Sequence, residues 1–274
     1  MNYDHSRKEA SAGFASVFDC ETERGGLAPS AAAILSRTAF IIPVYNHAGT
    51  LGAVIEKVLA YDRPLFVVDD GSTDDTPRVL EGLSGVTVIR HPVNLGKGAA
   101  LMTGFAAAAP CCDWVLTLDA DGQHDPLDAL SLIGAVAANA RPIVLGKRVD
   151  MAQKGAPWTS RWGRGFSNFW VFAASGLVLS DTQSGFRLYP LPESLQLHPQ
   201  AKRFQFEVEV LVLASWSGIP VVEAAVSVHY PLPGQHVSHF RPGRDFWRNT
   251  LTFSRLLARR LLFPRSRRLP RIKP

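Results

Sequence analysis

Cysteine is scarce in this sequence and badly placed for structural chemistry. Of the three cysteines in 274 residues, Cys111 and Cys112 are adjacent and Cys20 is distant. No disulfide framework or zinc spacing follows from them, and a reduced, cytosolic setting is the simplest reading. Long apolar runs are missing as well. No stretch of 18 uncharged apolar residues occurs, so no helix is expected to span a bilayer. The N-terminus lacks the basic-then-apolar order of a secretory signal. There is no Gly-x-x-x-x-Gly-Lys-Ser/Thr loop and no Gly-x-Gly-x-x-Gly after a strand, which leaves P-loop and dinucleotide readings without support. Acidic residues nearly vanish from one segment: residues 241–274 contain Asp245 alone.

What is present fits a folded protein with a sizeable core. Hydrophobic residues make up 46% and charged residues 19%, in a length that suits one large α/β domain or two small ones. The net charge of +5 is uneven. Eleven basic residues against one acid give residues 241–274 a charge of +10, which leaves −5 for residues 1–240. The charge is local and needs a local explanation.

Residues 1–36 mix charge, Ser, Gly and Ala without a period and read as a flexible extension. From Thr38 short apolar runs alternate with helical segments. Ala39–Val44 precedes Leu51–Leu59, Leu65–Val68 precedes Asp75–Leu83, and Val86–Ile89 precedes Lys97–Ala108. Trp114–Leu118, Leu127–Ala137 and Ile143–Leu145 continue the series. Such alternation predicts a mostly parallel sheet with helices on both faces, with ligands bound beyond the carboxyl ends of its strands. After Asp150 the alternation lapses. An aromatic stretch (Trp158, Trp162, Phe166, Phe169, Trp170, Phe172) leads into Val171–Leu179, and a helix near Glu207–Trp216 and a strand near Pro220–Val228 follow. The expected division is an extension over 1–36, a main domain over 37–240 with halves 37–150 and 151–240, and a basic tail over 241–274.

The strand ends carry the chemistry. Asp119 and Asp121 close an apolar run, and residues i and i+2 of an extended chain face the same side. Gln123 adds a carbonyl oxygen. Oxygen-only ligands suit a hard divalent cation, Mg²⁺ or Mn²⁺, shared with phosphates, although carboxylates in turns are commonly just solvated. Asp69 ends another apolar run, where it is available to the N–H donors of a nucleobase, while Asp74 or Thr73 is placed to cap the helix that follows. Lys97, in Asn94-Leu95-Gly96-Lys97-Gly98, either reaches a diphosphate or simply opens a helix of small residues.

Taken together, these residues resemble glycosyltransferase family 2 with the GT-A fold, and its dolichyl-phosphate-mannose-synthase-like branch in particular. The likeness runs from about Ala39 to Arg244. It rests on Pro43-Val44-Tyr45-Asn46, Val68–Asp74, Asn94–Gly98, Asp119–His124, Gly146-Lys147-Arg148 and Asp181–Arg187, in that order. The resemblance implies a Rossmann-like sheet and a UDP- or GDP-linked sugar donor. It implies that Pro43, Tyr45, Val67 and Asp69 hold the nucleoside and that Asp119, Ala120 and Asp121 contact ribose and diphosphate. Asp121 and Gln123 then bind the Mg²⁺ or Mn²⁺, Arg148 lies near the donor phosphates or sugar, and Asp181 and Arg187 border the acceptor side. Two departures stand out. His47 replaces the acid that often follows Tyr-Asn, and His239 stands where the late basic motif has lysine. Either His239 is charged by bound phosphate, or Arg241 supplies the cation, or this is a solvated loop. Glu207 is a candidate base for the acceptor, or else a helix cap or a partner for an arginine.

The implied reaction displaces a nucleoside diphosphate from an anomeric carbon with inversion. A polyprenyl phosphate acceptor is already ionised at pH 7 and needs no general base, whereas a hydroxyl acceptor needs a carboxylate such as Asp181 or Glu207. In the tail, Arg244, Arg248, Arg255 and Arg259 fall within about 60° on a helical wheel, opposite Phe246, Phe253, Leu257 and Leu261. That pattern fits an amphipathic basic helix on an anionic membrane surface, or a helix packed on the domain with a solvated face. Nucleic acid is not an expected partner, since residues 1–240 are acidic and carry no recognised binding motif. The expectation is a peripheral enzyme on the cytosolic membrane face that glycosylates a lipid. A soluble family-2 enzyme acting on a polysaccharide and a non-catalytic nucleotide- or lipid-binding module are the alternatives. A sugar nucleotidyltransferase is disfavoured because its Gly-rich activating loop is missing.

Overall fold

A computed structural model describes residues 29–149, 158–229 and 242–263. Among them run β1 (Thr38–Val44), β2 (Leu65–Asp69), β3 (Thr87–Arg90), β4 (Trp114–Thr117), β5 (Ile143–Arg148), β6 (Arg187–Pro190) and β7 (Val221–Val226). The helices are α1 (Pro29–Ser36), α2 (Ala48–Leu59), α3 (Thr76–Glu81), α4 (Lys97–Ala108), α5 (Ala129–Gly134), α6 (Trp158–Ser175), α7 (Phe206–Ser217) and α8 (Pro242–Leu262). The strands form one sheet in the order β3-β2-β1-β4-β6-β5-β7.

All seven residues of β1 are buried, which explains why it reads as a continuous apolar run: a strand covered on both faces has no polar side. Ala39 and Ile41 pack in one core with Phe105, Tyr189 and Leu211. Phe40, Ile42 and Val44 pack in the other with Leu51, Ile55 and Leu116. β1 pairs parallel with both β2 and β4. The chain therefore winds outward to β3 on one side and restarts at β4 on the other, which makes the β1–β4 crevice the switch point where ligands bind.

Three local expectations change. No strand was expected after the Asp181–Arg187 motif, yet Arg187–Pro190 forms β6, antiparallel to both β4 and β5. A four-residue strand ending in proline leaves no alternation to read. Pro29–Ser36, expected within the flexible extension, is helix α1, with Ala31 and Leu35 buried in the second core. The helix expected over Leu127–Ala137 is shorter: a single 3₁₀ turn at Pro126–Asp128 precedes α5, which ends at Gly134.

The tail helix also differs from expectation. Phe253 and Leu256 of α8 are buried, and Trp170 of α6 stacks on Phe253 with centroids 5.9 Å apart. Arg255 pairs with Glu209 of α7, whose side chain is 3% exposed, and Arg259 lies 6.0 Å from the Trp216 ring centroid. The described part of the arginine stripe is thus turned to the domain, because a buried carboxylate needs a counter-charge. The side chains of Arg244, Phe246 and Arg248 lie outside the described residues. No described helix is long and apolar enough to cross a membrane.

Candidate active site

The site is built where three parallel strands end side by side. Past β1, Asn46 takes a left-handed φ of 54°. Its side-chain oxygen accepts from the Thr73 (2.8 Å) and Asp74 (3.3 Å) amides, while its own amide donates to Ser72 Oγ. The ends of β1 and β2 are thereby tied together beside Tyr45, which is half-buried. Pro43 and Val67 are buried inside the sheet and shape the floor through their backbone and packing. Asp69, at the end of β2, is fully buried. Its Oδ1 accepts from the Ser72 amide at 2.8 Å, and its Oδ2 makes no hydrogen bond, with Arg90 Nε 3.2 Å away. A buried carboxylate oxygen without a hydrogen bond costs free energy, which the charge of Arg90 offsets.

Asp70 has a different task. It accepts from the Leu95 (2.9 Å) and Gly96 (2.7 Å) amides and lies 2.8 Å from His91 Nδ1, so it anchors the loop that delivers Lys97.

After β4 the chain runs through Asp119, Ala120 and Asp121. Thr50 Oγ1 donates to the Ala120 carbonyl at 2.6 Å, and Asp121 Oδ1 accepts from the Gln123 amide at 3.0 Å. Asp119, Asp121 and Gln123 are all partly exposed. The donors of this segment are oxygens alone. Among the described residues no group of three His, Cys, Asp or Glu collects to hold a metal. A small hard cation that keeps substrate phosphates as ligands needs only one or two protein carboxylates, so Asp121 with Gln123 fits Mg²⁺ or Mn²⁺ bound together with a diphosphate.

Lys97 does not stand free for a phosphate. Its Nζ lies 2.6 Å from Asp119 Oδ1 and 2.5 Å from Glu207 Oε1. Burial alone would lower its pKa, but the two carboxylates outweigh it and hold the ammonium above the usual lysine value. The same pairing keeps Asp119 below the usual carboxylate range against the opposing effect of its burial. Gly185 closes this cluster. A Cβ there would stand 2.5 Å from Asp119 Oδ2 and 2.7 Å from Lys97 Nζ.

Asp181 and Arg148 are tied to each other. Asp181 is fully buried and receives Arg148 through both Nε (2.7 Å) and Nη2 (2.8 Å), in the fork geometry of a strong ion pair. Arg187 differs from its expected place bordering the acceptor. It is fully buried, and its guanidinium donates to the Ser184, Thr182 and Glu207 carbonyls. It holds the 182–185 loop in shape. Asn168 and Ser167 of α6 hold the same loop from outside, through Thr182 and Gln183. His239 and Arg241 lie outside the described residues.

Two residues with no assigned role in the motifs belong to this place. His124 is buried with Nδ1 unpartnered, and burial pushes its pKa down to about 4, so it is neutral at pH 7. Arg90 sits against Asp69. The only signal for His124 in the sequence is its position inside Asp119–His124. Arg90 gives none, because the strand pairing that brings it to Asp69 is tertiary.

A doubly wound sheet with carboxylates on adjoining strand ends at its switch point is the architecture of a GT-A glycosyltransferase. Among solved structures, glucosyl-3-phosphoglycerate synthase from Mycobacterium tuberculosis, in complex with Mn²⁺, UDP and phosphoglyceric acid, shares this fold. Its TM-score is 0.63 at 21% identity, over 86% of this chain and 82% of that one. The profile of glycosyl transferase family 2 matches residues 39–190, and the chain belongs to that family. UDP-N-acetylglucosamine–dolichyl-phosphate N-acetylglucosaminyltransferase of Methanococcus voltae is 29% identical over 213 residues, 69% of this chain and 84% of that protein. Polyprenol monophosphomannose synthase of Mycolicibacterium smegmatis is 28% identical over 232 residues, 76% of this chain and 83% of that protein.

Proposed function

We propose that this protein transfers a sugar from a UDP- or GDP-linked donor to a lipid phosphate, with inversion at the anomeric carbon. One observation carries the choice of acceptor. Both carboxylates available as a base on the acceptor side are engaged in ion pairs, Asp181 with Arg148 and Glu207 with Lys97. A carboxylate oxygen already occupied by a cation is not open to serve as a base. A hydroxyl acceptor needs such a base, whereas a polyprenyl phosphate oxygen is already ionised. The two similar proteins whose names specify dolichyl phosphate and polyprenol support the same reading.

In this reading Pro43, Tyr45, Val67 and Asp69 hold the nucleoside, with Asp69 Oδ2 accepting from the base. Asp119, Ala120 and Asp121 line the ribose and diphosphate, and Arg148 orients the sugar side. His239 or Arg241 adds positive charge from the late loop. Asp121 and Gln123 hold Mg²⁺ or Mn²⁺, which when bound neutralises charge growing on the leaving diphosphate. The Mn²⁺ and UDP in the M. tuberculosis structure support that choice.

The acceptor is drawn from the cytosolic membrane face. Support comes from exposed apolar side chains near two adjacent helix ends: Phe169 and Phe172 in the last two turns of α6 with Val178 beyond it, and Leu261 and Leu262 at the end of α8 with Phe263 just after it. Arg260 joins these ends by donating to the Phe172 carbonyl at 3.3 Å. In the sequence, basic residues from Arg265 to Lys273 follow Phe263, and their charge complements anionic headgroups.

Incubation with labelled UDP- and GDP-sugars, Mn²⁺ and either a short polyprenyl phosphate or the matching polyprenol tests the assignment. Transfer to the phosphate alone is expected, and transfer to the alcohol alone sinks it. In flotation with anionic vesicles, Leu261→Ser with Leu262→Ser is expected to reduce binding. Unchanged flotation removes that surface from the proposal.

A further inference from the structure

The Lys97 ammonium joins two parts of the site that are distant in sequence. Asp119 lies on the donor side past β4, and Glu207 lies in the first turn of α7. Two of the three donors on Nζ are committed to these carboxylates, and the lysine side chain is only 16% exposed. The backbone around it is fixed independently, because Asp70 holds the Leu95 and Gly96 amides immediately before Lys97. Glu207 is fixed as well. Its carbonyl receives Arg187, the same guanidinium that holds the Ser184 and Thr182 carbonyls. Gly185, within that loop, leaves the space that Asp119 and Lys97 occupy. One ammonium thus stands where the loop before α4, the end of β4, the 182–185 loop and α7 meet.

We propose that Lys97 is a positioning residue: held from behind by Glu207, it fixes the Asp119 carboxylate toward the donor and makes donor affinity depend on α7. The inference rests on the proposed donor role of Asp119. It also separates two functions for Lys97 that predict opposite signs. If Lys97 served as a phosphate contact, neutralising Glu207 would release the ammonium and strengthen donor binding. If Lys97 positions Asp119, neutralising Glu207 lets the ammonium drift, and donor binding weakens although Glu207 touches no donor.

Calorimetry with UDP- and GDP-sugars in Mn²⁺ reads the difference on the full chain. Glu207→Gln is expected to weaken donor binding roughly 10-fold, the scale of coupling between contacting charged residues. Lys97→Met is expected to weaken it at least as much, and Lys97→Arg, which returns the cation, to recover part of that loss. In the Lys97→Met background, Glu207→Gln is expected to cause no further loss. Should Lys97→Met fail to fold, Glu207→Gln alone decides, since the amide keeps a hydrogen-bond acceptor in the same place. Unchanged or tighter binding by Glu207→Gln overturns the inference while leaving the proposed function intact, provided the unaltered protein binds donor. Absence of donor binding by the unaltered protein overturns both.

Discussion

The two halves of the site use charge in opposite ways. In the proposed donor half, polar atoms stand at open strand ends: Asp69 Oδ2 makes no hydrogen bond but lies 3.2 Å from Arg90 Nε, and Asp121 and Gln123 are partly exposed. In the proposed acceptor half, Asp181 and Arg187 are fully buried and engaged, the first with Arg148 and the second with backbone carbonyls. The difference teaches that the same residue types do separate work according to what surrounds them. In the proposed function, carboxylates at open strand ends recruit ligand. Carboxylates paired in the interior hold a frame. A reaction whose acceptor arrives already ionised requires little more from that frame than position.

The contrast is breakable, because it assigns stability to one half and ligand affinity to the other. Arg148→Met should have the largest effect on the fold. It leaves the buried Asp181 carboxylate without its cation, and removal of one partner from a buried pair costs about 3–5 kcal/mol, to be read as a lower midpoint in denaturant unfolding. Asp121→Ala should do the reverse. Metal-dependent binding of nucleotide sugars should fall by roughly 10²-fold or more with little change in the same unfolding midpoint. If the two variants melt alike, the division between the halves fails.

Gly185→Ala probes the border between them. Its added methyl has no room beside Asp119 and Lys97, and overpacking of this kind costs about 1–3 kcal/mol, with donor affinity reduced alongside.

The smallest effect belongs to Asp74 at the rim, which precedes the actual N-cap of α3, Asp75, instead of capping the helix as expected. Asp74 accepts from the Thr76 and Ala48 amides. Burial would raise its pKa, but these hydrogen bonds outweigh it and the net shift is downward. A carboxyl depressed in the folded state stabilises above the unfolded value of about 3.9 and loses that contribution as pH falls through the lower folded value. Loss of these two hydrogen bonds in Asp74→Ala, weakened by solvent exposure, should cost no more than about 1 kcal/mol at pH 7, and the gap from the unaltered protein should narrow below about pH 4.

How much was legible in the sequence follows the same line. The parallel strands and their helices were readable because strands buried on both faces are continuous apolar runs, and Lys97–Ala108 matches α4 residue for residue. β6 was not readable, because Arg187–Pro190 is short and gains its strand character only from β4 and β5 on either side. The position of Asp119, Asp121 and Gln123 past the end of β4 was readable because their spacing is local. The partners of Lys97 were not. Glu207 lies 110 residues away in sequence, and no spacing rule connects a loop before one helix with the first turn of another.

The sequence by itself determined the fold family and the strand-end carboxylates, because local periodicity and i, i+2 geometry act within a few residues. Only the tertiary structure decided which charges remain for a ligand. Pairing of Asp181 with Arg148, of Glu207 and Asp119 with Lys97, and of Arg255 with Glu209 depends on distances closed by packing. In a buried environment those few ångströms decide whether a charged group meets substrate or serves the frame.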